Sequence, residues 1–237
     1  MSTARSFSSS PCGGLRMRLF GAEVVFRASG ALWADGEGAL IVADLHLEKG
    51  SSYAARGQML PPYDTGETLS RLEAEVAALS PKSVIFLGDT FHDRRSESRL
   101  TARNAERLSA LAAGRRLIWV VGNHDADGPK ALPGDVVDGL SLAGLTLRHE
   151  PLAGPQDGEL AGHLHPCAKV SAGGSAVRRR CFVTDGRRAV LPAFGAYAGG
   201  LNVMDKAFSG MFADAPIAAA LGAGRVHAVG WKSLRAD

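Results

Sequence analysis

Residues 39–44 read ALIVAD, and this short stretch decides the fold class. The apolar run from Ala39 to Ala43 shows no alternation, so it predicts a strand that is buried on both faces of a sheet. Two later stretches repeat the pattern, because residues 83–89 read SVIFLGD and residues 117–125 read LIWVVGNHD. Helix-like segments separate these strands, which is typical of an α/β domain.

The segments between the strands carry helix signals. Asp64-Thr-Gly-Glu67 is typical of a capping box, and apolar residues follow it at spacings of three and four up to Pro81. A second helix is predicted over residues 97–113. Further along, the sequence predicts strands over residues 142–148, 159–161 and 226–230, and a hairpin over 177–192 around Asp185-Gly186.

Composition limits the possible classes of protein. The 237 residues are 46% hydrophobic and 22% charged, as in globular proteins, and no apolar run reaches the roughly 18 residues of a membrane span. A membrane protein is therefore not expected. Three cysteines without a CxxC pair cannot form a disulfide framework, so we expect a reducing, cytoplasmic location. The net charge of +3 does not by itself establish a nucleic-acid partner.

The N-terminal residues differ in composition from the rest. Residues 1–14 (MSTARSFSSSPCGG) are rich in serine and glycine, and we expect a disordered tail there. No linker interrupts residues 15–237, which are predicted to form a single domain.

Polar clusters begin where predicted strands end. They are Asp44-x-His46, Gly88-Asp89, Gly122-Asn123-His124-Asp125, His149 and Gly162-His163-x-His165. One such residue alone would be interpreted as a cap or a core residue, but five clusters in this order are not explained in that way. Because ligands of α/β sheets bind outside the carboxyl ends of strands, we expect the clusters to meet in one place.

The chemistry of these side chains suits two divalent metal ions. Carboxylate, amide and imidazole donors without a thiolate favour manganese, iron or zinc. A two-metal hydrolytic site also needs a carboxylate that joins two cations about 3.5–4 Å apart. In extended backbone, residues two apart point to the same side, which suits Asp44 with His46 and His163 with His165.

The motifs DxH, GD, GNHD, a separate His and GHxH, over residues 39–166, resemble those of the calcineurin-like binuclear metallophosphoesterase superfamily. The resemblance implies a four-layer αββα sandwich of two mixed sheets with helices outside. It implies one metal held by Asp44, His46, Asp89 and His165, and a second held by Asp89, Asn123, His149 and His163. His124 would be catalytic at the phosphate, and Asp125 would orient it.

A narrower resemblance rests on residues 44–65 (DLHLEKGSSYAARGQMLPPYDT) and 191–203 (LPAFGAYAGGLNV). These stretches look like those of the bacterial ligase-associated DNA damage response endonucleases, the PdeM-type enzymes. The resemblance implies a manganese-dependent hydrolase that cuts DNA, with single-stranded DNA as the expected substrate, in DNA repair. It also implies a functional partnership with a helicase, an exonuclease and a DNA ligase.

Several basic residues follow the metal motifs closely and are predicted to contact substrate: Lys49, Arg56, His92, Arg94 and Arg95. The arginines at 178–180 and 187–188 flank the predicted hairpin, and they either extend the path of a DNA strand or are only solvated. The motif at residues 191–195, together with Gly199 and Gly200, is expected to pack beneath the site.

Two other functions stay open at this point. The chain could be a phosphodiesterase or phosphatase that acts on small nucleotides. It could also be a catalytically silent scaffold, which is the weaker alternative because no ligand residue of the motifs is missing.

Overall fold

The computed structural model describes residues 7–172 and 175–237, and in them the chain forms two mixed β-sheets. Neighbouring strands of the first sheet run antiparallel up to β5 and parallel from β5 to β8. Its strands, in spatial order, are β1 (Phe7–Ser9), β2 (Leu15–Leu19), β3 (Ala22–Phe26), β4 (Leu32–Ala34), β5 (Ala39–Val42), β6 (Ser83–Leu87), β7 (Arg116–Val120) and β8 (Asp135–Val137).

The second sheet is built from the C-terminal half of the chain. Its strands are β9 (Leu140–Leu142), β10 (Leu145–Arg148), β11 (Glu159–Ala161), β12 (Pro166–Ala172), β13 (Ser175–Thr184), β14 (Ala189–Val190), β15 (Leu201–Asn202), β16 (Ile217–Leu221), β17 (Val226–Gly230) and β18 (Leu234–Arg235). The main order is β15-β12-β13-β14-β11-β10-β9, while β16 pairs with β13, β17 with β16, and β18 with β12.

The two sheets face each other across a shared apolar core. Ile41 and Ile85 of the first sheet belong to the same buried cluster as Leu160 and Phe182 of the second. The rings of Phe26 and Phe182 stack between the sheets with their centroids 4.2 Å apart. Burial of this much apolar surface is the main force that holds the sheets together.

The helices of the described residues are α1 (Lys49–Ala54), α2 (Asp64–Leu79), α3 (Ser96–Arg99) and α4 (Ala102–Ala110). Of these, α2 and α4 pack on the outer face of the first sheet. Leu69 and Leu72 of α2 and Leu108 of α4 share a buried cluster with Val84 and Phe86 of β6. None of the helices in the described residues has the length and apolar character that a span of a lipid bilayer requires.

The outer face of the second sheet is covered differently. Val203 and Leu234 share one buried cluster with residues of β12, β13 and β16, and Phe208 and Met211 pack on Val190. These covering residues belong to extended segments and to a 3₁₀ turn (Lys206–Phe208). The expected sandwich of two mixed sheets is therefore confirmed, with short and extended segments as the layer on this side.

The N-terminal segment departs from the prediction. Residues 7–9 form β1, which pairs antiparallel with β2 through Phe7 and Met17, Ser8 and Arg16, and Ser9 and Leu15. The prediction of a disordered tail is therefore wrong for these residues, while residues 1–6 lie outside the described part. The single domain over residues 15–237 stays a prediction.

Local signals explain other differences. The predicted helix over 97–113 is split at Leu100, whose ψ of 133° is extended, and Thr101 caps α4 by accepting a hydrogen bond from the N–H of Asn104. The predicted strand over 142–148 is a hairpin, because Ala143 and Gly144 both have positive φ, as a type I′ turn requires. The expected capping box is not formed, since Tyr63 is the N-cap of α2.

The direction of the strands determines where the predicted ligands lie. The register pairs Val42 of β5 with Phe86 of β6, and Phe86 with Trp119 of β7, so three parallel strands end side by side. In the second sheet β10, β11 and β14 are also parallel. A parallel bridge between Ala43 and Ala193 joins the two sheets at this edge. The segments that carry the predicted ligands therefore leave both sheets at one edge.

Candidate metal centre

The backbone is unusual at the ligands themselves. Asp44, His46, Asp89, His163 and His165 all have positive φ, between 45° and 69°. Non-glycine residues seldom adopt this left-handed conformation, because it crowds the Cβ atom against the backbone. Five such residues at adjacent strand ends indicate that the surrounding structure enforces the conformation, as is common at functional sites.

The first predicted ligand set comes together. The Nε2 atom of His165 lies 3.2 Å from Oδ1 of Asp44 and 3.2 Å from Nε2 of His46. The same nitrogen of His46 lies 3.9 Å from Oδ2 of Asp89. Ligand atoms of Asp44, His46 and His165 all lie within 4.8 Å of one another, which is close enough to hold one ion.

The second predicted set also comes together. Oδ1 of Asn123 lies 2.8 Å from Nε2 of His149 and 3.0 Å from Nδ1 of His163. These two imidazole nitrogens are 3.2 Å apart, and Nε2 of His149 is 3.4 Å from Oδ2 of Asp89. Asp89, His149 and His163 form a second group within 4.8 Å.

Asp89 lies between the two groups, as expected of a bridging carboxylate. Its Oδ2 atom is the one near both His46 and His149, and its Oδ1 accepts a hydrogen bond of 2.9 Å from the N–H of His124. Gly122 is required beside it, because a Cβ atom at that position would lie 2.2 Å from Oδ1. This close approach explains the glycine of the GNHD motif.

The lowered pKa values of His46 and Asp89 favour metal binding at this centre. Burial, and then the neighbouring His165, lower the pKa of His46 to about 3, so its ring is neutral at neutral pH. Burial acts to raise the pKa of Asp89, but the hydrogen bond and charge of His149 outweigh burial and lower that pKa to about 2. A buried carboxylate beside closely spaced imidazole nitrogens is a donor set that cations satisfy. The residues present therefore fit two divalent metal ions.

His149 binds its proton more tightly than an ordinary histidine. Burial acts to lower its pKa, but the hydrogen bond to Asp89 and the charge of Asp44 outweigh burial and raise the pKa above the usual value of about 6.5. Because only the neutral ring can bind a metal ion, a metal ion at the second group competes with a proton for His149.

His124 is partly exposed and lies beside the metal groups. Its Nδ1 is 2.7 Å from the carbonyl oxygen of His92, so Nδ1–H donates and Nε2 faces the centre, 4.0 Å from Oδ2 of Asp89. Ligand atoms of His46, His92 and His124 form a third group within 4.8 Å, which the sequence did not predict.

Asp125 was expected to orient the ring of His124, but its contacts in the structure are with backbone N–H groups. Its buried carboxylate accepts hydrogen bonds from the N–H groups of Gly122, at 3.0 Å, and Phe91, at 3.1 Å. The atom that orients the His124 ring is instead the carbonyl oxygen of His92. Asp125 therefore joins the loop after β6 to the loop after β7, and acts on the site through the backbone. Burial raises its pKa, and the charge of Asp89 adds to that effect.

The residues that were predicted to contact substrate lie in two separate cavities. Lys49 and His92 line a cavity of about 230 Å³ together with the metal-ligating side chains. Gly199 lines the same cavity, so the expectation that it packs beneath the site is wrong. Lys49 is fixed there by a hydrogen bond of 3.1 Å from Nζ to the carbonyl oxygen of Tyr197. Arg56, Arg94 and Arg95 line a separate cavity of about 440 Å³ next to it.

The segment over residues 44–65 is held by contacts that the sequence did not reveal. The Thr65 hydroxyl donates to Oε1 of the buried Glu48 at 2.9 Å and accepts from the Glu48 N–H at 2.8 Å. Oδ2 of Asp64 accepts from the N–H of Gly50 at 3.1 Å. The start of α2 thus fixes α1, and with it the position of Lys49.

Two arginines fix the loop that passes beneath the site. The Arg180 guanidinium donates to the carbonyl oxygens of residues 193, 196 and 198 at 3.1, 3.1 and 2.9 Å. Arg71 donates to the carbonyl oxygen of Phe194 and lies over its ring. A Cβ at Gly195 would lie 2.0 Å from the carbonyl oxygen of Leu45, so residues 193–195 do pack beneath the site, as predicted.

The arginines around the second hairpin mostly have structural partners. Arg188 is fully buried, pairs with Glu159 and donates to carbonyl oxygens of residues 152, 154 and 211. Arg187 pairs with Asp157 at 2.6 Å, and Arg178 with Asp237 at 3.3 Å. The prediction that the hairpin arginines extend the path of a DNA strand is therefore wrong for Arg188, because its side chain has no access to solvent.

One family model and two solved structures resemble this chain, and the family model and the first of the structures agree with this geometry. The family model for calcineurin-like phosphoesterases matches residues 39–169. The Pseudomonas putida nuclease MPE, for which a crystal structure exists, is 30% identical in sequence to this chain. The match covers 91% of this chain and 100% of the nuclease chain, with a TM-score of 0.71. The E. coli phosphoesterase Yfce is 16% identical over 81% of this chain and 98% of its own, with a TM-score of 0.40.

No curated protein matches the sequence. The family match covers more than half of the chain, and His and Asp side chains that could hold metal ions lie close together in it. The chain therefore belongs to the calcineurin-like phosphoesterase family and is a metal-dependent phosphoester hydrolase.

Proposed function

We propose that this protein is a manganese-dependent DNA endonuclease of the PdeM type. The observation that carries the proposal is the pair of complete ligand groups on a fold that resembles a solved nuclease over 91% of the chain. The second support is the resemblance of residues 44–65 and 191–203 to the ligase-associated endonucleases.

The ligand set is compatible with manganese. The two groups offer carboxylate oxygen, amide oxygen and imidazole nitrogen, which suit Mn²⁺, iron or Zn²⁺, and the choice of manganese rests on the resemblance to the ligase-associated endonucleases. When bound, two such ions supply a nucleophile at neutral pH and neutralise the charge that develops on the phosphate.

Residues of the chain would supply the remaining chemistry. His124 donates Nδ1–H to the carbonyl of His92, so Nε2 is the atom that can give a proton to the leaving oxygen of the cleaved ester. Lys49 lies in the same cavity as a fixed positive charge for the phosphate oxygens. Asp125 keeps the two ligand loops in register.

The biological setting belongs to the same proposal. We place the enzyme in DNA repair in the cytoplasm, in functional partnership with a helicase, an exonuclease and a DNA ligase. The support for this setting is the narrower resemblance, together with three cysteines that are all free thiols, as expected in a reducing compartment.

Cleavage of circular single-stranded DNA is the decisive experiment, because a circle has no ends and only an endonuclease can open it. The purified chain is incubated with Mn²⁺, Mg²⁺ or Zn²⁺ and with circular single-stranded, linear single-stranded or duplex DNA. The p-nitrophenyl phosphodiester and monoester are measured in parallel, and Asp89→Ala is the inactive control. We expect the Mn²⁺ protein to open the circle. Turnover of the small esters without cleavage of any DNA would favour a small-molecule phosphodiesterase or phosphatase.

A further inference from the structure

A strongly basic cavity adjoins the metal centre. We call it the arginine cavity; it measures about 440 Å³ and is lined mainly by Ser52, Arg56, Asp93, Arg94, Arg95 and Arg99. Four arginines and one aspartate give this small region a net charge of +3, as large as that of the whole chain. Such a concentration of one sign of charge in a concave site attracts anions.

Internal contacts use only part of this charge. Asp93 pairs with Arg99 at 2.7 Å, and Arg99 is also held by Ser51 at 2.9 Å and Ser96 at 3.0 Å. Among the described residues no carboxylate lies within 4 Å of the guanidinium groups of Arg56, Arg94 or Arg95. These three side chains are exposed, so their charges remain available to a ligand.

The arginine cavity and the metal cavity share a wall. His92 lines the metal cavity and Asp93, the next residue, lines the arginine cavity. On α1, Lys49 faces the metal cavity and Ser52 the arginine cavity, and three residues along a helix span about 4.5 Å. The arginine cavity is therefore within reach of a polymer whose phosphate occupies the metal centre.

We propose that the arginine cavity binds the phosphate next to the scissile phosphate on a DNA strand. The inference rests on the proposed function and adds a second phosphate site to it. The paired N–H groups of arginine match the oxygens of a phosphate, and a strand carries one phosphate per nucleotide. A small ester has a single phosphate and cannot reach both cavities.

The test removes the three free charges together in Arg56→Ala/Arg94→Ala/Arg95→Ala. Binding of a short fluorescent single-stranded oligonucleotide is measured by anisotropy at several salt concentrations, and turnover of the p-nitrophenyl phosphodiester is measured separately. We expect oligonucleotide affinity to fall about tenfold or more. The slope of log affinity against log salt should become less negative by about 0.7 for each phosphate that the variant no longer neutralises. Turnover of the small ester should remain.

Arg116→Ala is the control for loss of a positive charge away from the site. Arg116 is the first residue of β7, at the strand end opposite to the metal ligands; its side chain is exposed and pairs with Asp135 at 2.8 Å. Unchanged oligonucleotide affinity and salt slope in the triple variant would overturn the proposal, as would an equal loss in Arg116→Ala. A parallel loss of small-ester turnover would also overturn it, because the arginines would then act on the metal centre. Failure of the proposed function gives a different result, in which the unmodified chain cleaves no DNA.

Discussion

The Asp125→Asn substitution tests how the site is held together. The structure gives Asp125 two hydrogen bonds from backbone N–H groups, one in each ligand loop, and no direct contact with the ring that it was expected to orient. Asparagine has the same shape but only one acceptor oxygen. Its NH₂ group would face an N–H donor, so one of the two loops would lose its anchor.

The size of the effect follows from these contacts. A hydrogen bond to a charged group contributes about 1.5–3 kcal/mol. Because burial raises the pKa of Asp125, the ionised carboxylate is itself unfavourable in the folded protein at neutral pH, and asparagine removes that cost. We therefore expect a net loss of about 1–2 kcal/mol. For a chain of this size that corresponds to roughly 2–8 °C in melting temperature.

The assay combines a thermal scan with kinetics on the p-nitrophenyl phosphodiester. The control is Asp127→Asn, the same change two residues away at an exposed position that pairs weakly with Lys130. We expect Asp125→Asn to lower the melting temperature and the metal affinity together, and Asp127→Asn to change neither. If Asp125→Asn melted like the unmodified chain while kcat fell about 100-fold or more, Asp125 would act directly on the chemistry and our reasoning would be refuted.

Three further substitutions have defined outcomes. His124→Ala should keep both metals while kcat on DNA falls about 10²–10⁴-fold. The fall should be smaller on a p-nitrophenyl ester, because its leaving group needs little protonation. Loss of metal, measured by mass spectrometry, would show that His124 is a ligand instead. Gly195→Ala should weaken Mn²⁺ binding by calorimetry, since its Cβ would lie 2.0 Å from a backbone oxygen between two ligands, whereas Gly199→Ala has open space and should bind normally. Arg188→Met should lower the free energy of unfolding by about 3–5 kcal/mol in denaturant titrations, because Glu159 stays buried without its main partner. Adding Glu159→Gln should restore part of the lost stability. Full stability of the single variant would contradict this prediction.

The ligand groups could be predicted from the sequence because each ligand follows directly on a strand. Apolar runs without alternation identify buried parallel strands, and parallel strands end at one edge of a sheet. Once Asp44, Asp89 and Asn123 are assigned to strand ends, they are expected to lie together, and the structure places an oxygen of each within 4 Å of a ring nitrogen of His149. Side chains that need only a strand end and a short loop are thus well determined by local sequence.

Contacts that end on backbone atoms could not be predicted. The carbonyl oxygen of His92 orients His124, but a carbonyl is present at every residue and leaves no mark in the sequence. For the same reason the sequence did not reveal that Arg71 and Arg180 donate hydrogen bonds to carbonyl oxygens of residues 193–198. Such partners depend on how distant segments pack.

Short exposed elements were missed for a different reason. All three residues of β1 are exposed, so this strand lacks the apolar pattern by which strands are recognised, and its pairing depends on the free edge of β2. The division of the predicted helix at Leu100 did have a signal, since Thr101 is a good N-cap residue. The apolar periodicity across residues 97–113 outweighed that signal.

The central claim is that the two ligand groups hold two metal ions with Asp89 between them. The most direct measurement is the number of Mn²⁺ ions bound per chain, determined by native mass spectrometry after chelation and reloading, with hydrolysis of the p-nitrophenyl phosphodiester followed in the same samples. The structure predicts two ions per chain, hydrolysis only when both are bound, and loss of both in Asp89→Ala. A single ion at full activity, or full activity in Asp89→Ala, would contradict the account.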